Sequence, residues 1–241
     1  MLRYVMALLV LMISSIFLWG CQVDTGRMVQ AAATLYQGET ISNAEVSQLG
    51  ARVAAQHDGE SVIAKADNAY AKRLAKITKG LESEDGLNLN FKVYLQDEIN
   101  AFATPDGSVR VYSGLMDAMT DDELFFVIGH EIGHVKHGHS LVAMRKAYRA
   151  AAAVQAIGAT HSSAASIADS DLGKVAQSYM QAQFSQAHES QSDVYGVALL
   201  KKYNRPKEAA AASLRKLGNA GGGAFSSHPN PQDRAKAVER M

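Results

Sequence analysis

The chain has 241 residues, with 24 basic and 24 acidic side chains and a formal net charge of zero at pH 7. Its charges are mixed, with no basic block, which argues against nucleic acid as a partner. Hydrophobic residues make up 47% of the sequence, enough for a sizeable core, and the single cysteine, Cys21, excludes an intramolecular disulfide.

The N-terminal segment has the pattern of an export signal. Arg3 precedes an apolar run over residues 4–18 which, at about 15 residues, is short for a membrane-spanning helix. The run leads to Leu-Trp-Gly-Cys at Cys21, which resembles a bacterial lipobox. The resemblance implies cleavage before Cys21 and lipidation of its thiol. Gln22 rather than Asp follows, which implies transport to the outer membrane with the protein facing the periplasm. The alternatives are an uncleaved anchor and a buried thiol.

The remaining elements are predicted in chain order. Residues 1–20 form the lipoprotein signal peptide, 21–40 a weakly structured tether and 41–241 a single domain. Helices are predicted at 42–57, 64–78, 140–158, 171–185, 187–203, 206–217 and 231–240, besides one that begins after Thr120. Strands at 91–95, 100–103 and 109–112 predict a small antiparallel sheet. The predicted fold class is therefore α+β and mostly α-helical.

The helix after Thr120 carries the motif that implies chemistry. Thr120 and Glu123 form a predicted capping box, and the helix includes His130-Glu131-Ile132-Gly133-His134. Because residues four apart lie on one helix face, the two imidazoles can hold one metal ion with Glu131 beside it. This is the zinc-hydrolase arrangement, in which the glutamate is the general base for a metal-activated water. The alternative, two core histidines without a metal, would be costly to bury.

The third ligand must come from another part of the chain. The metzincin continuation is disfavoured, because the glycine comes one place late at Gly138 and the expected histidine position holds Ser140. On a downstream helix, Glu189 and Asp193 lie four residues apart, so that one could point at the metal and the other at a ligand histidine. The residues alone leave open whether this pair is part of the site or a solvated helix face.

Further segments match a known family in the same order along the chain. They are Asn100-Ala101-Phe102-Ala103, residues 109–115, 120–134 and 184–186, Glu189 with Asp193, and His228-Pro229 with Arg234. From about Asp67 to its end, the chain resembles the gluzincin metallopeptidase family of HtpX and the CAAX prenyl protease, in the soluble, LoiP-like periplasmic lipoprotein branch. Ala187 and His188 depart from the family pattern.

The resemblance implies a zincin-like domain whose small sheet lies beside the metal-binding helix, with one Zn²⁺ per chain. It implies that His130, His134 and Glu189 bind the zinc and that Asp193 supports a ligand. Glu131 is then the catalytic base.

The resemblance also implies roles for the C-terminal segment and one strand. His228 would donate a hydrogen bond to the tetrahedral oxyanion, and Arg234 would brace the helix of Glu189 or bind substrate. The alternative for His228 is an exposed residue before a helix. The strand of Asn100, Ala101, Phe102 and Ala103 resembles a substrate-binding edge, to which an extended peptide could add by backbone pairing.

The function predicted is a zinc-dependent endopeptidase acting on unfolded or misassembled envelope proteins, with polypeptide substrate and the membrane as partners. The alternative is a periplasmic chaperone or assembly lipoprotein that binds clients without cleaving them. Zinc storage is a weaker hypothesis, because storage needs no buried base. Residues 150–171 are a candidate lid over the cleft.

Overall fold

The computed structural model describes residues 24–160, 184–219, 228 and 230–241. Its helices are α1 (Thr25–Thr40), α2 (Asn43–Glu60), α3 (Ala69–Ile77), α4 (Ser113–Ala118), α5 (Asp121–Lys136), α6 (His139–Thr160), α7 (Gln186–Lys202), α8 (Glu208–Asn219) and α9 (Pro231–Val238). Its strands are β1 (Asn90–Tyr94), β2 (Ala101–Ala103) and β3 (Ser108–Tyr112). The mostly helical α+β class is confirmed.

Several predicted features lie outside the described residues. They are the apolar N-terminal run, Cys21, most of the predicted helix at 171–185 and the part of the candidate lid that follows Thr160. Within the described part of the chain, no helix combines the length and the apolar character needed to span a bilayer.

The chain divides into two compact units, of which the first comprises Met1–Thr40 and Lys146–Val175. Its described residues form α1 and the C-terminal part of α6. Two contacts show that these helices run antiparallel. The Asp24 N–H donates to the Ala159 carbonyl at 3.0 Å, and Glu39 near the other end of α1 pairs with Arg149 at 2.6 Å. The predicted boundaries at residues 20 and 40 stay predictions.

The predicted weak structure of residues 24–40 is wrong, since α1 occupies Thr25–Thr40. Its buried positions are Ala31, Thr34 and Gly38. A Cβ at Gly38 would collide with Tyr148, so glycine allows α1 to lie close to α6. A stripe of such small residues gives little apolar periodicity in the sequence, which explains why the helix was not predicted.

The second unit, Ile41–Arg145 with Ala176–Met241, contains the sheet and the motif helix. The strand order is β1-β3-β2. The strand β2 is antiparallel to β3, but β1 is parallel to β3, so the prediction of a purely antiparallel sheet is wrong. The reason is the tight turn between β2 and β3, in which the Gly107 N–H donates to the Thr104 carbonyl at 2.9 Å with a φ of 92° at Gly107. Because this hairpin reverses the chain, β3 runs opposite to β2. The other edge of β3 pairs with β1, which runs in the same direction as β3.

Both predicted capping boxes are confirmed. In α2 the Glu45 carboxylate accepts from the Ser42 N–H at 2.8 Å, and in α5 the Glu123 carboxylate accepts from the Thr120 N–H at 2.7 Å. Each box satisfies amide donors that the first turn of a helix leaves free. The start of the motif helix is therefore fixed by local sequence. The six-residue α4 was not predicted.

A buried ion cluster joins α2 to the sheet. Arg110 of β3 is only 2% exposed, and its Nε and Nη2 donate to the two carboxylate oxygens of Asp58 at 2.8 and 3.0 Å. Lys92 and Tyr94 of β1 donate to the same carboxylate at 2.6 and 2.7 Å. Burial would raise the pKa of Asp58, but the hydrogen bonds from Arg110, Lys92 and Tyr94 outweigh it and hold this pKa well below its usual range.

Replacing Asp58 by Asn is expected to lower the free energy of unfolding by about 3 kcal/mol at pH 7, because Arg110 would stay buried without its anion. Since the folded-state pKa of Asp58 lies below the unfolded value, the stabilisation is complete above roughly pH 5 and is lost as pH falls through the folded pKa. Urea denaturation of both proteins between pH 7 and pH 3 measures the difference, which should shrink below about pH 4. A gap that is absent at pH 7, or unchanged at acid pH, would contradict this account. The exposed Asp67 provides the control, with an expected change in its Asn variant of under about 0.5 kcal/mol.

Candidate active site

The site lies where α5 packs closely against α7. Gly129 and Gly133 of α5 face Gly196 and Ser192 of α7. A Cβ added at Gly133 would lie 3.0 Å from the Ser192 Cα, and one at Gly129 would lie 3.2 Å from the Gly196 Cα. Larger residues would push the helices apart. The close approach brings the first turn of α7 opposite the histidines of the motif.

Four buried side chains converge there, and each offers one ligand atom within 4.8 Å of the others. They are His130, His134, Glu189 and His228, and none is more than 6% exposed. The Nε2 atoms of His130 and His134 lie 3.0 Å apart. The two carboxylate oxygens of Glu189 lie 3.5 Å from the first nitrogen and 3.3 Å from the second. The structure thus brings the three predicted ligands to one point; their role as ligands stays a prediction.

The chemistry of these atoms fits a cation. If both histidines carry their proton on Nδ1, the two Nε2 atoms 3.0 Å apart present lone pairs to each other, which is unfavourable unless a positive charge lies between them. Imidazole nitrogen and carboxylate oxygen are the donors that Zn²⁺ takes in catalytic sites. In addition, Oε1 of Glu131 is buried and has no hydrogen-bond partner among the described residues. A carboxylate oxygen in that position fits a site that takes up a water beside the metal.

The helix α7 also supplies the support for His130. Oδ1 of Asp193 lies 3.0 Å from Nδ1 of His130 and accepts a hydrogen bond from its N–H, which leaves the lone pair of Nε2 facing the cluster. Arg234 of α9 donates to Asp193 from Nη2 and Nε at 2.6 and 2.8 Å, and its Nη1 lies 2.5 Å from Oε2 of Glu189. Burial raises the pKa of Asp193, but the bonds from Arg234 and His130 outweigh it and lower this pKa. The guanidinium therefore braces both carboxylates of α7.

His228 lies deeper in the site than the sequence suggested. It is 6% exposed, which rules out the alternative of an exposed residue before a helix. Its Nδ1 lies 3.0 Å from Oε1 of Glu189 and 3.3 Å from Nε2 of His130, so it is within reach of a shared metal. Its Nε2 points to Oε1 of Glu131 at 3.5 Å. Burial lowers the pKa of His228, but the charges of Glu131 and Glu189 outweigh it and raise the pKa.

Glu131 faces both the cluster and the edge of the sheet. The residue is 3% exposed, and burial raises its pKa, against the opposing effects of His228 and His130. The backbone of Ala103 in β2 lowers the pKa of the same carboxylate and so favours its charged form. The strand predicted to bind substrate therefore lies directly beside the predicted base.

The side chains of β2 divide between two surfaces. Among the described strands β2 pairs only with β3. Its Phe102 ring packs 5.3 Å from the His57 ring of α2 and 6.2 Å from the Tyr94 ring, so this side chain holds the sheet to α2. A peptide that added to this edge would therefore pair with the backbone of the segment, which also includes Asn100, Ala101 and Ala103.

The sequence did not identify the residues that contact the outer side of His134. Nδ1 of His139 lies 3.0 Å from Nδ1 of His134, and Oε1 of Gln191 lies 2.9 Å from Nε2 of His139. The Phe184 ring packs against the His134 ring with centroids 4.0 Å apart and planes tilted by 35°. Burial lowers the pKa of His139 to about 4, so its ring is neutral at pH 7. No periodic pattern could place His139, because a glycine with a φ of 64°, Gly138, turns the chain just before it.

A metal centre on a buried helix, set beside the edge of a small sheet, is characteristic of a zincin-like zinc metalloprotease. The model of peptidase family M48 matches residues 68–241, and the chain belongs to this family. It is 37% identical over 240 residues to the metalloprotease YcaL of Escherichia coli (strain K12), covering 96% of this chain and 94% of that protein. The metalloprotease LoiP of the same organism is 36% identical over 242 residues, with 98% and 96% covered.

A more distant relative is the protease HtpX of Pasteurella multocida (strain Pm70). It is 31% identical over 140 residues, which cover 55% of this chain and 48% of that protein. The family resemblance seen in the sequence, the enzyme class and the zinc cofactor are confirmed by these matches together with the buried cluster.

Proposed function

We propose that this metalloprotease is an endopeptidase that cleaves unfolded or misassembled polypeptides of the bacterial envelope. The observation that supports it most is the buried Oε1 of Glu131, which makes no hydrogen bond among the described residues and faces a converging set of ligand atoms. A site that only stored zinc would have no use for a buried base at this position.

In the proposed mechanism His130, His134 and Glu189 would hold the zinc, the histidines through Nε2 and the glutamate through its carboxylate. When bound, zinc lowers the pKa of water and polarises the scissile carbonyl. Glu131 accepts the proton of the attacking water at Oε1 and delivers it to the leaving amine. Because burial raises the pKa of Glu131, it is a stronger base than an exposed glutamate.

The charged groups around this centre have separate tasks. His228 donates a hydrogen bond from Nε2 to the oxyanion of the tetrahedral intermediate, in keeping with its raised pKa and its position 3.5 Å from Glu131. Asp193 keeps His130 in the tautomer that presents Nε2 to the metal. Arg234 compensates the buried charges of Glu189 and Asp193.

The proposed substrate is an extended peptide that pairs with the backbone of Asn100, Ala101, Phe102 and Ala103. Pairing along a strand edge requires a segment without its own secondary structure, which an unfolded protein offers and a folded one does not. The proximity of the Ala103 backbone to Glu131 supports this proposal, because a peptide paired with β2 would lie next to the base.

The proposed location is the outer membrane, with the domain facing the periplasm and held by lipidated Cys21. Support comes from the signal-like run and the lipobox-like residues before Cys21. Mass spectrometry of the N-terminal peptide from the native cell is the direct test. An acylated N-terminal Cys21 is expected, whereas an unmodified thiol on an uncleaved chain would contradict the proposal.

The proposed activity is tested with the purified chain by measuring metal content and cleavage of an unfolded casein, with and without a chelator. One zinc per chain is expected, with cleavage that stops on chelation and returns on addition of Zn²⁺. A protein that binds zinc and protects unfolded clients from aggregation, yet never cleaves them, would favour the chaperone alternative. A protein that neither binds zinc nor cleaves would refute the proposed site.

A further inference from the structure

The two motif histidines differ in what supports them from behind. His130 donates from Nδ1 to the carboxylate of Asp193 at 3.0 Å. His134 has no carboxylate within reach of its Nδ1 among the hydrogen bonds of the described residues. Its Nδ1 instead lies 3.0 Å from Nδ1 of His139, and Nε2 of His139 lies 2.9 Å from Oε1 of Gln191. The support of His134 is therefore a chain of two neutral groups.

The proton positions in the hydrogen bonds from His134 through His139 to Gln191 can be deduced from Gln191 or from the metal side. Oε1 of Gln191 is an acceptor, so Nε2 of His139 carries the proton and Nδ1 of His139 holds a lone pair. That lone pair accepts from Nδ1 of His134, which leaves Nε2 of His134 unprotonated. Conversely, a metal in the cluster requires the lone pair on Nε2 of His134, which puts the proton on Nδ1 and makes Nδ1 of His139 the acceptor. Both deductions place a proton on Nδ1 of His134 and on Nε2 of His139.

The position of His139 is fixed by packing. Its side chain is 2% exposed and opens α6. Its ring stacks on the ring of His188 with centroids 4.2 Å apart and planes at 12°. His188 and Gln191 both belong to α7, the helix that carries Glu189. The acceptor for His134 is thus held by the same helix that supplies the predicted third ligand.

We propose that His139, oriented by Gln191, is a positioning residue that holds His134 in the tautomer able to bind zinc through Nε2. The inference deepens the proposed function, because it rests on the ligand role of His134. Partners of this kind fix the tautomer and raise the basicity of a ligand histidine, and their loss typically weakens metal binding about 10- to 100-fold.

The test compares two replacements of His139 in the full chain. The His139→Phe variant keeps a ring against His188 but offers no acceptor to His134. The His139→Asn variant restores an acceptor oxygen near the place of the lost Nδ1. Competition with a chromophoric chelator measures the dissociation constant for Zn²⁺, and thermal unfolding of the zinc-free proteins reports on folding. Since affinity is measured without substrate, the result does not depend on catalysis.

We expect His139→Phe to bind Zn²⁺ about 10- to 100-fold more weakly, and His139→Asn to recover affinity to within about 3-fold of the wild type. The same replacement at the exposed neighbour His137 is the matched control and should change the affinity by less than about 2-fold. If Phe binds as tightly as His, or if Asn is as weak as Phe, the proposal is overturned.

Two further outcomes complete the design. If His139→Phe does not fold, Gln191→Leu takes its place, because it frees the His139 tautomer without touching His134. A loss of about 10-fold is expected, the lower end of such effects, and unchanged affinity overturns the proposal. Absence of Zn²⁺ binding by the wild type would overturn the proposed function as well, whereas tight binding by both the wild type and His139→Phe overturns only the role of His139.

Discussion

Replacing Glu131 by Gln is expected to lower kcat for casein cleavage by about 10²- to 10⁴-fold, the range typical of a lost general base. The amide fills the same volume between the cluster and β2 but cannot accept the proton of the attacking water. Zinc content should remain one per chain, because Glu131 lies beside the metal ligands rather than among them. Steady-state kinetics and metal analysis of the same preparation test both halves of the prediction.

The control for Glu131→Gln is Glu208→Gln, since Glu208 is an exposed glutamate in the first turn of α8. It should keep kcat within about 2-fold, in line with the small effects of surface substitutions. Retained cleavage by Glu131→Gln would eliminate the proposed mechanism. The variant also separates protease from chaperone, because client protection that persists without cleavage would show that binding and hydrolysis are independent.

Replacing Glu189 by Gln is expected to remove the metal rather than the base. Glu189 is 1% exposed and supplies the only carboxylate oxygens of the described four-residue cluster. If a total zinc-binding free energy of roughly 10–16 kcal/mol is shared among the ligands, losing one costs on the order of 3 kcal/mol, or about 10²-fold in affinity. The change also removes one of the two carboxylates that pair with the guanidinium of Arg234 and leaves Asp193, which weakens the brace between α9 and α7.

Competition with a chromophoric chelator measures this loss, and added Zn²⁺ should restore part of the activity of Glu189→Gln. No excess of Zn²⁺ should restore Glu131→Gln. The two glutamates have opposite signatures: one variant keeps the metal without activity, and the other recovers activity with metal. If the signatures were exchanged, the assignment of ligand and base would be wrong. The Glu208→Gln variant again serves as the control.

The local sequence predicted what local interactions decide. The capping boxes at Ser42 and Thr120 gave the starts of α2 and α5, because a side chain and an amide three residues apart satisfy each other within one turn. The spacing of His130 and His134 gave a shared face, because 3.6 residues per turn puts them one above the other. Neither prediction required knowledge of a distant part of the chain.

Other predictions failed where the partner is distant in sequence. The helix α1 was not predicted because its buried residues are small. They form a packing surface for α6 but give little apolar periodicity in the sequence. The sheet was expected to be antiparallel because neither strand's sequence shows that β1 pairs with β3 rather than with β2, which follows it in the chain. Residue spacing alone left the ligand role of Glu189 open, and the close packing of Gly133 against Ser192 brings that carboxylate to the histidines.

By itself, then, the sequence determined a helix with two histidines and a glutamate on a defined face, and a family resemblance that the comparisons confirm. The tertiary structure decided which groups surround them: Arg234 between two carboxylates, His228 buried beside Glu189, and His139 behind His134. The physical reason is the distance along the chain over which each kind of interaction acts. Helix periodicity acts over a few residues, whereas the charge, burial and proton position of a metal ligand depend on side chains that packing brings close, across 39 residues for His228 and Glu189 and 52 for Gln191 and His139.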